Sequence, residues 1–154
     1  MITGQSITKR MGIMGRVILS VIFFTSGISK AINIDSFSEQ VIQYSVLYLH
    51  PILAEYSKQI SVFICCIEVV LSVGVWISKL RLFATTGVCV LILFFLYLSG
   101  VNYLYPTMIG RIESCGCFGE FLRFSPKDAF IKNIILSIVA CLLFYQQFMT
   151  QQKK

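Results

Sequence analysis

Apolar residues in this chain fall into four long runs, separated by short stretches that hold almost all of the charge. The runs extend from about Gly12 to Ser29, from about Ile60 to Ser78, from Leu82 to about Tyr103, and from about Ala129 to Met149. Each is close to the roughly 20 residues that a helix needs to cross a bilayer. The pattern predicts an all-α, polytopic membrane four-helix bundle, with residues 1–154 forming a single transmembrane domain. The second and third runs are joined only by Lys79-Leu80-Arg81, so they are expected to form an antiparallel hairpin. The stretch between the first two runs also has a pattern. Phe37, Val41, Ile42 and Tyr44 recur at roughly helical spacing ahead of Val46-Leu47-Tyr48-Leu49. A short interfacial helix is expected there, with Tyr44, Tyr48 and Tyr56 in the aromatic belt and His50-Pro51 ending it. Such a helix is read as a lid on the bundle end, since most interfacial helices carry no chemistry.

Composition agrees with the membrane reading. Hydrophobic residues make up 56% and charged residues 13% of the 154, against about 45–50% and about 25% in a soluble domain. Mean hydropathy is +0.81. The formal net charge of +6 does not point to nucleic acid, because the basic residues sit at the ends of apolar runs, as the positive-inside rule places them. Lys9, Arg10, Arg16, Lys79, Arg81, Lys153 and Lys154 fall on one side with no acid among them. Asp35, Glu39, Glu55, Glu113, Glu120 and Asp128 fall on the other, mixed with basic residues. Both termini are therefore expected in the cytoplasm, with segments 31–59 and 106–127 outside a cytoplasmic (inner) membrane. The first run resembles a signal peptide in its basic start. It is longer than a usual signal core, and Lys30 follows without a small-x-small site, so it is read as an uncleaved span.

Three groups of residues could carry chemistry. Cys115-Gly116-Cys117 places two thiols one residue apart in a polar segment. A disulfide between them would close a small, strained ring, of the labile kind that exchanges. A ring that small stabilises little by loop closure, which argues against a structural staple. The alternatives are a static loop disulfide, two unpaired thiols or a Zn or Cu(I) site, although the single histidine, His50, lies in a different segment. Second, Glu68 stands inside an apolar run, where a carboxylate is costly unless paired, protonated or facing water. Its expected partner is Lys30, at the outer end of the first run. The pair would either fix helix packing or move protons beside the thiols. Third, Cys65 and Cys66 lie within a turn of Glu68. They would either relay electrons or simply pack, and adjacent helical residues point about 100° apart, so they should not pair with each other. Cys89 and Cys141 are read as packing residues. Asn102, Tyr103, Tyr105, Lys132 and Asn133 are expected to line an outward-facing polar pocket with Lys30 and Glu68.

The order of these features resembles the DoxX/MauE family of small redox-associated membrane proteins. Phe24-Thr25-Ser26-Gly27-Ile28-Ser29-Lys30 is similar to the family's aromatic-x-Ser-Gly-x-x-Lys signature, and Asp35 and Phe37 follow as the family's outer loop begins. Cys66-Ile67-Glu68, with Gly74 beyond, resembles its buried-Glu helix. Ser114-Cys115-Gly116-Cys117-Phe118-Gly119 resembles its Cys-Gly-Cys-Phe-Gly loop, and the Asn133 region opens the last span. The proline that often leads into the buried-Glu helix is replaced here by Tyr56-Ser57-Lys58-Gln59.

The resemblance implies assistance with disulfide chemistry outside the cytoplasm. The reading that follows is a membrane thiol–disulfide redox protein, with Cys115 and Cys117 exchanging with a thioredoxin-like or disulfide-containing partner and Glu68 and Lys30 tuning protons. A quinone in the bundle is a conceivable electron acceptor. The alternative is a non-enzymatic structural or assembly subunit of a larger membrane complex. A third reading is a small transporter with Glu68 as its proton-coupled site.

Overall fold

The computed structural model describes residues 2–105 and 125–151. Among these residues the chain is all helix and turn, in the order α1 (Ile2–Ile32), α2 (Ile34–Tyr48), α3 (Ile52–Glu55), α4 (Ser57–Gly74), α5 (Arg81–Leu104) and α6 (Pro126–Gln151). Four segments are long and apolar enough to cross a membrane: Gly12–Ile32, Ser57–Gly74, Arg81–Leu104 and Lys127–Met149.

Local sequence sets several of these boundaries. α2 stops at Tyr48, two residues before His50-Pro51, and Pro51 then caps α3 with φ −57°, an angle its ring already favours. α6 starts from a capping arrangement. Ser125 Oγ accepts the Asp128 backbone N–H at 3.2 Å and donates to Asp128 Oδ2 at 2.7 Å, with Pro126 at the first helical position. The second membrane helix departs from the apolar run. It starts at Ser57, three residues before the run, and ends at Gly74, four before the run ends. Residues 75–80 form consecutive turns held by Trp76 N–Val73 O, Ile77 N–Gly74 O and Leu80 N–Ile77 O hydrogen bonds. The α4–α5 connection is therefore six residues rather than three. Hydropathy could not show this, because Val75, Trp76 and Ile77 are apolar whether or not they are helical.

The helices run alternately up and down. α1 lies antiparallel to α4, Ser20 meeting Ser72 and Lys30 meeting Glu68. α5 lies antiparallel to α6, Thr85 meeting Gln147 and Ser99 meeting Asn133. These two pairs pack more closely than the consecutive α4 and α5. Small residues make the close approaches possible. A Cβ on Gly27 would lie 2.9 Å from Val69 Cγ2 and 3.2 Å from the Cys65 carbonyl oxygen, so α1 and α4 touch there only because Gly27 has no side chain.

The interior has two layers. Towards the α4–α5 turn it is apolar, with Leu19, Leu71, Val88, Ala140 and Leu143 buried together. Towards the opposite end it is polar. α4 buries Ser57, Ser61, Cys65, Glu68 and Ser72 along one stripe while exposing Phe63, Val70 and Val73. Apolar side chains facing out and polar ones facing in is the arrangement expected where lipid is the solvent.

α2 is a 15-residue helix packed mainly along α4. It buries Phe37, Tyr44 and Ser45, and Asp35 pairs with Lys58 at 3.0 Å on the exposed side. Tyr44 was expected in the aromatic belt. It is instead only 7% exposed and packs on Leu98, because α2 turns that face onto the bundle. Tyr56, at 55% exposure, does face outward.

Candidate functional site

The polar layer is organised around Lys30 and Glu68. Lys30 lies two residues before the end of α1. Because α4 begins at Ser57, Glu68 lies eleven residues into that helix, about 16 Å along it. That is near the middle of the span and deeper than the apolar run suggests. The Lys30 Nζ donates to Glu68 Oε1 in a direct ion pair, and both side chains are 1% exposed. Two aromatic rings enclose the ammonium. Its Nζ is 5.1 Å from the Phe37 ring centroid, contributed by α2, and 4.4 Å from that of Phe95, contributed by α5. Cation–π contacts in such a desolvated setting are worth roughly 2 kcal/mol. Desolvating both charges is costly, and the pair is tolerable because each partner supplies the other's counter-charge.

α6 holds the far side of this arrangement. Asn133 Nδ2 donates to the Phe95 carbonyl oxygen at 3.2 Å and to Ser99 Oγ at 3.1 Å, tying α6 to the turn of α5 that carries Phe95. Between the helices is a cavity of about 20 Å³. Ser26, Lys30, Glu68, Lys132 and Asn133 supply its polar lining, and Phe23, Ile92 and Leu136 are among its apolar walls. That volume holds about one water. It is too small for a quinone head group. A larger groove of ≈ 330 Å³ runs along the outer face of α5, lined by Leu93, Leu96, Tyr97, Gly100, Val101, Leu104 and Tyr105.

The residues expected to line one pocket are thus divided. Lys30, Glu68, Lys132 and Asn133 come together at the cavity. Asn102 is buried nearby and accepts from the Tyr48 hydroxyl at 3.3 Å, which pins the end of α2 to α5. Tyr103 stacks on Phe130, ring centroids 5.7 Å apart, and Tyr105 lines the outer groove. Cys65 is buried, and the charges of Lys30 and Glu68 both act on its thiol. Cys66 is exposed on another face of α4, so the two thiols diverge as helical geometry requires. Cys89 is half-buried and Cys141 exposed. Cys115 and Cys117 lie outside the described residues.

Phe37 and Phe95 complete the site. In the sequence Phe37 stands out as part of the amphipathic stretch and of the family-like start of the outer loop, and nothing marks Phe95. Phe95 sits in Leu93-Phe94-Phe95-Leu96, where nothing local distinguishes the ring over the ammonium from its neighbour. Chemically, the site is a buried ammonium–carboxylate pair beside space for one water.

Comparison with known proteins accords with this architecture. Residues 8–146 match the family of methylamine utilisation protein MauE, which covers nearly the whole chain, the Cys-Gly-Cys segment included. A similar curated protein is Protein TlpB of Flavobacterium psychrophilum, 28% identical over 145 residues. The alignment covers 90% of this chain and 37% of TlpB, so the chain spans little more than a third of that relative's length. No solved structure matches. With four apolar helices of membrane-spanning length and a family match over most of its residues, the chain is a multi-pass membrane protein that belongs to the MauE family.

Proposed function

We propose that this protein is a membrane thiol–disulfide redox protein, assisting disulfide formation or electron transfer to extracytoplasmic partner proteins through Cys115 and Cys117. The observation that carries the reading is the buried Lys30–Glu68 pair, built by four helices and enclosed by Phe37 and Phe95. Isolated charges at that depth are costly and mark working sites. Chain connectivity supports a link to the thiols. The segment bearing them joins the last residues of α5 to the Ser125 cap of α6, at the end of the bundle where Lys30 and Glu68 are buried. MauE family membership supports a redox-associated role at the membrane.

In the proposed exchange, the thiolate of a partner dithiol attacks one sulfur of the Cys115–Cys117 disulfide. A mixed disulfide forms and the other sulfur leaves as a thiolate. The partner's second thiolate then resolves the mixed disulfide. The partner is oxidised by two electrons and the pair is reduced by two, and each leaving thiolate takes up a proton. The reverse sequence uses the same intermediate. Glu68 and Lys30 buffer the protons that these steps release and consume. The partner is a thioredoxin-like or disulfide-containing protein. The reading puts both termini in the cytoplasm of an inner-membrane protein and the Cys-Gly-Cys segment outside.

The test is to trap the thiols of Cys115 and Cys117 in intact cells with a membrane-impermeant alkylating reagent, with and without reductant, and to read the peptide by mass spectrometry. Exchange predicts a mixed population that shifts with respiration, and a Cys117→Ser variant that accumulates a mixed disulfide through Cys115. Full, unchanging oxidation would overturn the reading in favour of a static docking segment in a complex subunit.

A further inference from the structure

The end of the bundle opposite Lys30 and Glu68 carries a second polar cluster that thiol chemistry does not use. Arg16 of α1, Arg81 at the start of α5 and Gln147 near the end of α6 lie at that end. The sequence has no acidic residue within 2–34, 69–112 or 129–154 to neutralise them. Arg16 and Arg81 are close enough that the charge of one acts on the other. Arg16 Nε donates to the Gly12 carbonyl oxygen at 3.0 Å, and a Cβ on Gly12 would lie 3.0 Å from Gln146 Oε1, which sets this turn of α1 against α6. Gln147 Oε1 accepts from Thr85 Oγ1 at 3.0 Å, which sets α6 against α5.

Two donors in this cluster are buried with no hydrogen-bond partner among the described residues: Arg81 Nε and Gln147 Nε2. Burying a donor without a partner is costly, and two guanidinium groups at one end of the bundle, with no acid among these segments, repel each other. One oxyanion relieves both costs. Guanidinium forks bind phosphate oxygens two at a time, and the first turn of α5 adds the positive end of its helix dipole. The depth indicates where the anion comes from. Arg81 opens its span, Trp76 is half-exposed with its indole N–H on Ser20 Oγ at 3.0 Å, and Tyr145 is exposed. Amphipathic aromatics at the end of a span mark the headgroup level.

We propose that Arg16, Arg81 and Gln147 form a binding site for a phosphate-bearing anion, supplied by the headgroup of an acidic phospholipid. Basic pockets between membrane helices recognise such headgroups. The site ties α1, α5 and α6 together at the end where α4 and α5 have only a turn between them.

The full chain, purified in detergent, is exchanged with phosphatidylglycerol, cardiolipin or phosphatidylcholine, and retained lipid is read by native mass spectrometry. Wild type is expected to keep the acidic lipids in preference to phosphatidylcholine. Arg81→Gln and Arg16→Gln should each lower that retention about fivefold, following the contribution of a single basic residue near an anionic surface. Gln147→Leu, which keeps both charges, should lower it less and leave folding intact if either arginine variant unfolds. Circular dichroism with phosphatidylcholine alone shows which variants remain folded. If inorganic phosphate displaces the lipid and raises the thermal midpoint by itself, the anion site stands but its natural ligand is a soluble anion. Equal retention of acidic and neutral lipid by wild type, or retention unchanged in all folded variants, overturns the proposal.

Discussion

At the scale of single residues, the Lys30–Glu68 pair dominates the energetics. Removing one partner leaves the other charge buried and uncompensated, which typically costs about 3–5 kcal/mol. Glu68→Gln and Lys30→Met are each expected to lower the thermal midpoint in detergent markedly. The double variant should unfold closer to wild type, because no lone charge remains. Differential scanning fluorimetry on the four proteins completes the cycle, and additive losses would mean that the two side chains do not interact. The double variant also separates packing from proton handling. If it is stable yet slow in thiol exchange, the pair works in the chemistry. Glu68 was legible in the sequence because charge inside an apolar run stands out, and Lys30 because it closes the neighbouring run. Phe37 and Phe95 were not, since a ring over an ammonium and a ring facing lipid are the same residue in the same apolar context.

At the scale of elements, close approach of α1 and α4 depends on Gly27. A methyl group there meets Val69 Cγ2 at 2.9 Å and the Cys65 carbonyl oxygen at 3.2 Å. Overpacking of this kind costs about 1–3 kcal/mol. Gly27→Ala is expected to lower stability by that order and to loosen the Lys30–Glu68 contact three residues further along α1. Adding Val69→Ala should restore part of the loss, because the nearest obstacle is a side-chain methyl, while the carbonyl stays where it is. Thermal melts of the single and double variants measure this, and no rescue would put the obstruction at the backbone. The sequence showed that the Thr25-Ser26-Gly27 stretch is small. It did not show which helix would come up against it. α4 begins three residues ahead of the apolar run, because Ser57 looks like loop to a hydropathy pattern, whereas here it faces the protein interior.

At the scale of the whole molecule, the alternating helices put the α2–α3 connection and the α4–α5 turn at opposite ends. His50 and Ser78 are both exposed. In a background with the six native cysteines replaced, His50→Cys is expected to react with an impermeant maleimide in intact cells, and Ser78→Cys only after permeabilisation. The reverse pattern would invert the orientation and put Cys115 and Cys117 in a reducing compartment, where a labile disulfide has little oxidising use. Equal reactivity at both positions would contradict the four-span topology. The basic residues around the α4–α5 turn argue for the first outcome, since Lys and Arg are retained on the cytoplasmic side.

The sequence by itself determined the four spans, the interrupted amphipathic stretch between the first two, and the charged residues that cannot be indifferent to lipid. These follow from composition over windows of about 20 residues, which the thickness of a bilayer reads directly. It also displayed the Cys-Gly-Cys motif, whose chemistry is local. Only the tertiary structure decided that α1 pairs with α4 and α5 with α6, that Tyr44 turns inward, that Phe37 and Phe95 enclose an ammonium, and that Arg16 and Arg81 lie at the same end of the bundle across sixty-five positions of chain. Helix pairing in lipid depends on side-chain shape and small-residue contacts rather than on apolarity, which every face of these helices shares. That is why the elements could be read along the chain and their partners could not.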